Sequence, residues 1–326
     1  MGGRSADIAR VLSIISSAGP DLGLTLNLKK CELISFALLS EDRSGLFSPD
    51  IARLVRNFEI LGCPIGDAVF CANYVKKKCF SSAFRAIEAI ASIDDPQVSH
   101  MLLRLCSSFC KIVHYLRGVP PSFIESVLFQ FDSEVQSGLE RCIGLSIPPL
   151  AWQQATLSIS KGGLGLRSAV THASAAYLSS VSFAAQAGGW PAIQAEGWGE
   201  SYVLYNNLVD QSACLDSNDI PWKQSALSAA IEARSFDGLL NLSAERDRAR
   251  LWAVGAPSAA SWLKVTPAFG LKQVLSAREF SFLIRFWLGM DIYEPSSQCP
   301  LCNEGMDRCS DLPYWRAFGH PPQCSP

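Results

Sequence analysis

Near the C-terminal end, Cys299-Pro300-Leu301-Cys302 sets two thiols in a C-x2-C knuckle, and His320 and Cys324 follow as an H-x3-C pair after 17 residues. Zn²⁺ favours four thiolate or imidazole ligands in a tetrahedron, and two chelating pairs on separate turns supply them without a large core. Cys299, Cys302, His320 and Cys324 are therefore a candidate structural zinc site, with Cys309 as a rival fourth ligand. Gly319, Pro321, Pro322 and Pro326 predict an irregular tail around the second pair, so free thiols are the alternative reading. No nearby carboxylate stands out as a base for catalytic zinc.

A second chemistry is electrostatic. Residues 76–117 carry Lys76, Lys77, Lys78, Arg85, Arg104, Lys111 and Arg117 against Glu88, Asp94 and Asp95, a basic stretch in a chain whose formal net charge is −2. Such a stripe suits phosphate contacts, which give affinity without sequence information. A solvated helix face is the competing reading. Lys161-Gly162-Gly163-Leu164-Gly165-Leu166 has its lysine ahead of the glycines and lacks GxxxxGK[ST] spacing, so it reads as a turn needing positive φ or close backbone approach, not a nucleotide cradle. Asp94-Asp95 precedes Pro96 between helical patterns and reads as a helix N-cap. His100, His114 and His172 lack a Cys or acid at ligand spacing and read as core-edge or surface residues.

The elements that must position these groups are mostly helical. Ile8, Val11, Leu12 and Ile15 mark a first amphipathic helix behind Ser5, stopped at Gly19-Pro20. Leu24, Leu26 and Leu28 alternate with polar residues and predict a strand; Lys29-Lys30 then form a turn into a second strand, Leu33 to Leu39. Ser48-Pro49-Asp50 predicts a short helix with Ile51, Leu54 and Val55 inward, followed by a strand, Phe58 to Gly62. Helices then run from Asp67 to Ile90, from Val98 to Gly118, and from a capping box at Ser122–Glu125 to Gly144, packing as a bundle. An Ala- and Ser-rich helix, Ser168 to Ala187, follows the glycine loop. Gly188 to Pro221 predicts a loose connection and a domain boundary, with one short helix near Tyr202 to Val209. Helices return at Ala226–Leu240, Ala244–Val254 and behind a second capping box at Ser276–Glu279.

Asp21 to Glu32, DLGLTLNLKKCE, followed by Phe58 to Gly66, FEILGCPIG, resembles the end of the palm of a non-LTR retrotransposon reverse transcriptase. Gly23, Leu24, Leu26, Asn27, Lys30 and Glu32 match that family's GLxLNxxKxE, and Leu61-Gly62 its primer grip. Trp152, Gln154-Ala155, the GGLGL run, His172-Ala173 and Ala176-Tyr177-Leu178 extend the resemblance past the thumb, and the family also ends in a CPxC and an H-x3-C. The gap here is longer, and LPYWRAFGH replaces the usual Gly-Asp before the histidine.

The resemblance implies a partial palm over 1–66, a thumb-like bundle over 67–147, a helical connection over 148–298 and a zinc knuckle over 299–326. It also implies nucleic-acid contacts from Lys30, Leu61, Gly62, Lys76, Lys77, Lys78, Arg104 and Lys111. Lys30 would match a lysine that helps to protonate leaving pyrophosphate. The family's aromatic-x-Asp-Asp stands ahead of this motif, so the 326 residues are expected to lack the catalytic aspartates. Magnesium would then bind only with a complete palm upstream.

Hydrophobic residues at 48% and charged residues at 18% predict a folded chain, mainly α with a small α+β part at the N-terminus. No apolar run has the length of a membrane span or the form of a signal peptide, so a soluble, intracellular protein is expected, with most of the 12 cysteines reduced. The leading expectation is a reverse-transcriptase-like fragment that binds RNA or DNA. A non-enzymatic helical interaction protein with a structural zinc is the alternative.

Overall fold

The computed structural model describes residues 3–34, 45–54, 56–216 and 221–292. Over these the fold is mainly helical, with 67% helix against 4% strand. Two compact units are formed, one ending at Cys71 and one beginning at Ala72.

In the first unit, α1 (Ser5–Ala18) is followed by β1 (Glu32–Ile34), β2 (Ala52–Leu54), β3 (Phe58–Ile60) and β4 (Cys63–Ile65). β1 pairs with β2 in parallel, and β3 with β4 antiparallel in the register Phe58↔Ile65 and Ile60↔Cys63. The turn between β3 and β4 is Leu61-Gly62, with φ of 50° and 78°. Positive φ at both central residues is the hairpin turn whose twist matches its strands, and here a leucine occupies a position that favours Asn or Gly.

Two expectations for this unit fail. Residues 24–27 form no strand and run straight into a 3₁₀ turn at Leu28–Lys30. Leu24 is 66% exposed, and among the described residues the alternating leucines have neither a partner strand nor a buried face to hold them. The helix expected after Ser48 is instead a single turn, in which Ser48 Oγ accepts from Asp50 N at 3.3 Å, leading into β2. The backbone that follows gains a partner in β1, and that pairing outweighs the N-cap signal. Residues 35–39 of the second predicted strand lie outside the described residues.

The chain passes into the helical unit within α2 (Ala68–Val75) and continues through a π-helical turn at Lys76–Phe80 into α3 (Ser81–Ala91). Asp95 caps α4 (Pro96–Leu102) as the sequence predicts, accepting from Gln97 N and Val98 N at 3.0 Å. The helix predicted as one piece from Val98 to Gly118 is broken. A π turn at Leu103–Ser107 leads to Ser108, which leaves helical geometry at φ −100° and ψ −134°, and α5 (Phe109–Gly118) restarts. Ser108 Oγ donates to Arg104 O at 2.9 Å, a local bond that competes with the helix ladder.

α6 (Pro121–Ile143) opens on Pro121 at its first position with no side-chain cap, so the Ser122 capping box does not form. Proline pre-sets the helical φ and wins that position. α7 (Pro149–Ala155) precedes the glycine loop, and α8 (Ala169–Gly188) forms the centre of the unit, packed on α5 and α6. α9 (Trp198–Leu208) and α10 (Gln224–Leu242) also pack on α8. The segment that reads as a loose connection therefore carries core residues: Trp198 and Trp222 stack at 5.5 Å in a cluster with Leu178, Tyr205 and Ile231. α11 (Glu245–Val254) and α12 (Ala277–Leu288) complete the unit, the latter with the predicted Ser276–Glu279 capping box.

The glycine loop behaves as its composition predicts. Gly162 and Gly165 have φ of 78° and 75°, and a Cβ at Gly163 would lie 2.0 Å from Leu157 O. Buried Gln154 holds the loop by donating Nε2 to Gly162 O at 2.8 Å and to Trp287 O at 2.9 Å.

Candidate nucleic-acid interface

Val75 and Cys79 are buried, at 0% and 4% exposure. Two buried positions four apart put the residues between them outside, so Lys76, Lys77 and Lys78 all face solvent on the π turn. Turns of this kind widen a helix locally and are frequent at functional sites. The Cys79 thiol donates to Lys111 O at 3.3 Å, which ties the lysine turn to the exposed Lys111 of α5. Burial pushes the Cys79 thiol up to about 12, so it stays protonated and acts as a tether.

Aromatic rings interleave with these charges. Lys78 Nζ stands 5.9 Å from the Tyr74 ring centre, Tyr74 lies 6.4 Å from Tyr115, and His114 packs on Tyr115 at 5.5 Å. No carboxylate pairs with Lys76, Lys77, Lys78 or Lys111 among the described residues. The nearby acid Glu88 is engaged by Arg141 at 2.8 Å.

The other predicted contacts fall elsewhere. Arg104 is half-buried and lines a cavity with Arg167 and Lys264, two residues outside the predicted contacts. Arg167 stands directly after the glycine loop, the one available signal, whereas nothing around Lys264 marks it. Lys30 and the Leu61-Gly62 tip belong to the first unit. Lys30 is exposed in its 3₁₀ turn, and Leu61 is 91% exposed.

His100 and His172 are core residues. His100 Nε2 lies 3.2 Å from Leu164 O, and burial, aided by the Arg104 charge, lowers its pKa to about 4. His172 Nδ1 shares a 3.2 Å hydrogen bond with Ser228 Oγ, and burial, with Arg167, lowers it to about 3. Both are neutral at neutral pH and are enclosed away from any substrate.

Cys299, Cys302, Cys309, His320 and Cys324 lie outside the described residues. Among the described residues no group of three or more His, Cys, Asp and Glu is arranged to hold a metal, and no helix is long and apolar enough to cross a membrane. No family model, curated protein or solved structure matches the chain.

Proposed function

We propose that this protein binds RNA or DNA through the phosphate backbone, using the lysine turn of Lys76, Lys77 and Lys78 together with Lys111. The observation that carries the reading is that these four lysines are exposed and lack carboxylate partners among the described residues, with Lys78 standing over Tyr74, which in turn packs near Tyr115. Exposed cations free of internal ion pairs can exchange condensed counterions for phosphate, and neighbouring rings offer stacking faces to unpaired bases.

In this proposal the chain is the end of a palm and a thumb-like bundle of the non-LTR reverse transcriptase type, acting as a binding module. Support comes from the order of elements, a small strand-bearing unit followed by a helical one, and from Leu61-Gly62 standing at an exposed tip directly after the Phe58–Ile60 strand. Asp95 is committed to capping α4, which leaves Asp94-Asp95 unsuited as a metal pair. Lys30 contributes a phosphate contact here and no proton transfer.

Fluorescence anisotropy with labelled RNA, DNA and RNA–DNA hybrid duplexes tests the reading. Binding that weakens steeply between 50 and 200 mM salt, on the order of 10²-fold for a handful of contacts, supports it; salt-independent or absent binding removes it. The zinc proposal at Cys299, Cys302, His320 and Cys324 has its own test. Metal analysis of the purified chain should find one zinc, lost in C299A/C302A.

A further inference from the structure

Beside the N-terminus of α5 lies a cavity of about 450 Å³ lined by Arg104, Arg167 and Lys264 and by the hydroxyl-bearing Ser108, Ser158 and Ser160. No carboxylate among the described residues lines it. Arg104 and Arg167 each keep a buried Nε with no hydrogen-bond partner among the described residues, an arrangement that folded proteins rarely leave uncompensated. Arg167 is ion-paired with Glu232 Oε1 through one Nη2 contact at 2.8 Å, which leaves other guanidinium N–H groups to donate, and its guanidinium lies over the Phe109 ring at 5.5 Å. Arg104 packs against the glycine loop. Its side chain crosses Gly165 so closely that a Cβ there would come within 2.9 Å of Arg104 Cδ.

We infer that this cavity is a binding site for a phosphate group, held by Arg104, Arg167 and Lys264 with one hydroxyl of the Ser158–Ser160 pair and the α5 N-terminus. Guanidinium groups present planar forks of donors that match phosphate oxygens; Ser108 Oγ already donates to Arg104 O, and Ser158 and Ser160 share a 3.1 Å hydrogen bond, so one hydroxyl of that pair keeps a donor for the anion. The helix start adds backbone N–H groups and the positive end of the α5 dipole. The cradle is made of side chains around a helix start and owes nothing to a P-loop. Burial already works against the Arg104 charge, and an anion would offset that. The site is separate from the lysine turn: Lys76, Lys77, Lys78 and Lys111 do not line the cavity, so it stands or falls independently of the nucleic-acid reading.

Inorganic phosphate is the probe, titrated into the full chain by calorimetry with a parallel series of melting temperatures. Saturable binding and a melting temperature that rises with phosphate are expected. Lys264 is exposed, so K264E should keep the fold and lose about tenfold or more in affinity. R104Q, checked for native circular dichroism, should do the same. Absence of saturable binding, or binding unchanged in K264E, overturns the proposal. Once binding is established, displacement by a 5′-phosphorylated oligonucleotide but not its 5′-hydroxyl counterpart identifies a strand terminus as the source. Displacement by both identifies a backbone diester, and by neither a small phosphorylated molecule.

Discussion

His100 and His172 sit in the core without charge, and that has a consequence in acid. Each is lowered below its ordinary value of about 6.5, to about 4 and about 3. Below pH ~6.5 the unfolded chain binds protons that the folded chain refuses, so stability falls as pH falls, until each folded pKa is passed. Each histidine adds about 1.4 kcal/mol per pH unit to that slope. Urea midpoints measured from pH 7 to pH 4 should show the decline, and H100Q/H172N should flatten it even if less stable at pH 7. An unchanged slope would mean that other groups govern acid unfolding. Asp132 is half-buried. Its carboxylate accepts from Ser168 Oγ, Ala169 N and Val170 N and so holds the start of α8. Removing it as D132A leaves buried donors unpaired and should cost about 1–3 kcal/mol in chemical denaturation.

Among the elements, α8 and α6 contribute the most buried residues, whereas α1 has none. Stability is distributed accordingly, because opening α8 exposes the core and opening α1 exposes little. Hydrogen exchange should therefore find the slowest amides in α6 and α8 and fast exchange across Ser5–Ala18; strong protection in α1 would contradict this. The glycine loop is the tightest joint. G163A brings a Cβ against the Leu157 carbonyl, which is backbone and cannot rotate away, and should lower stability by about 3 kcal/mol.

The same contrast explains what the sequence shows and what it conceals. Asp95-Pro96, Ser276–Glu279 and the GGLGL loop are legible because their chemistry is local: a side chain or a missing Cβ within a few residues decides the geometry. The leucines at 24–28 and the segment after Ser48 mislead because strand or helix there is settled by a partner elsewhere in the chain. Trp198 and Trp222 read as parts of a loose connection, since their stacking across the α9–α10 connection has no sequence period. For the site, the lysine run is visible at once, but its bond to α5 through Cys79 and the joining of Arg104 with Arg167 and Lys264 depend on tertiary packing.

Over the whole molecule, a net charge of −2 means that attraction to a polyanion cannot come from overall charge. It must come from a local face, and the exposed lysines of the π turn are that face in this account. The central claim is tested most directly by the salt dependence of binding to an RNA–DNA hybrid, comparing the unaltered chain with K76A/K77A/K78A. The account predicts weaker binding on every sequence tested, and a slope of log affinity against log salt shallower by about 2–3, roughly one unit for each phosphate no longer neutralised. An identical slope in the two proteins, or no measurable binding by the unaltered chain, would contradict it.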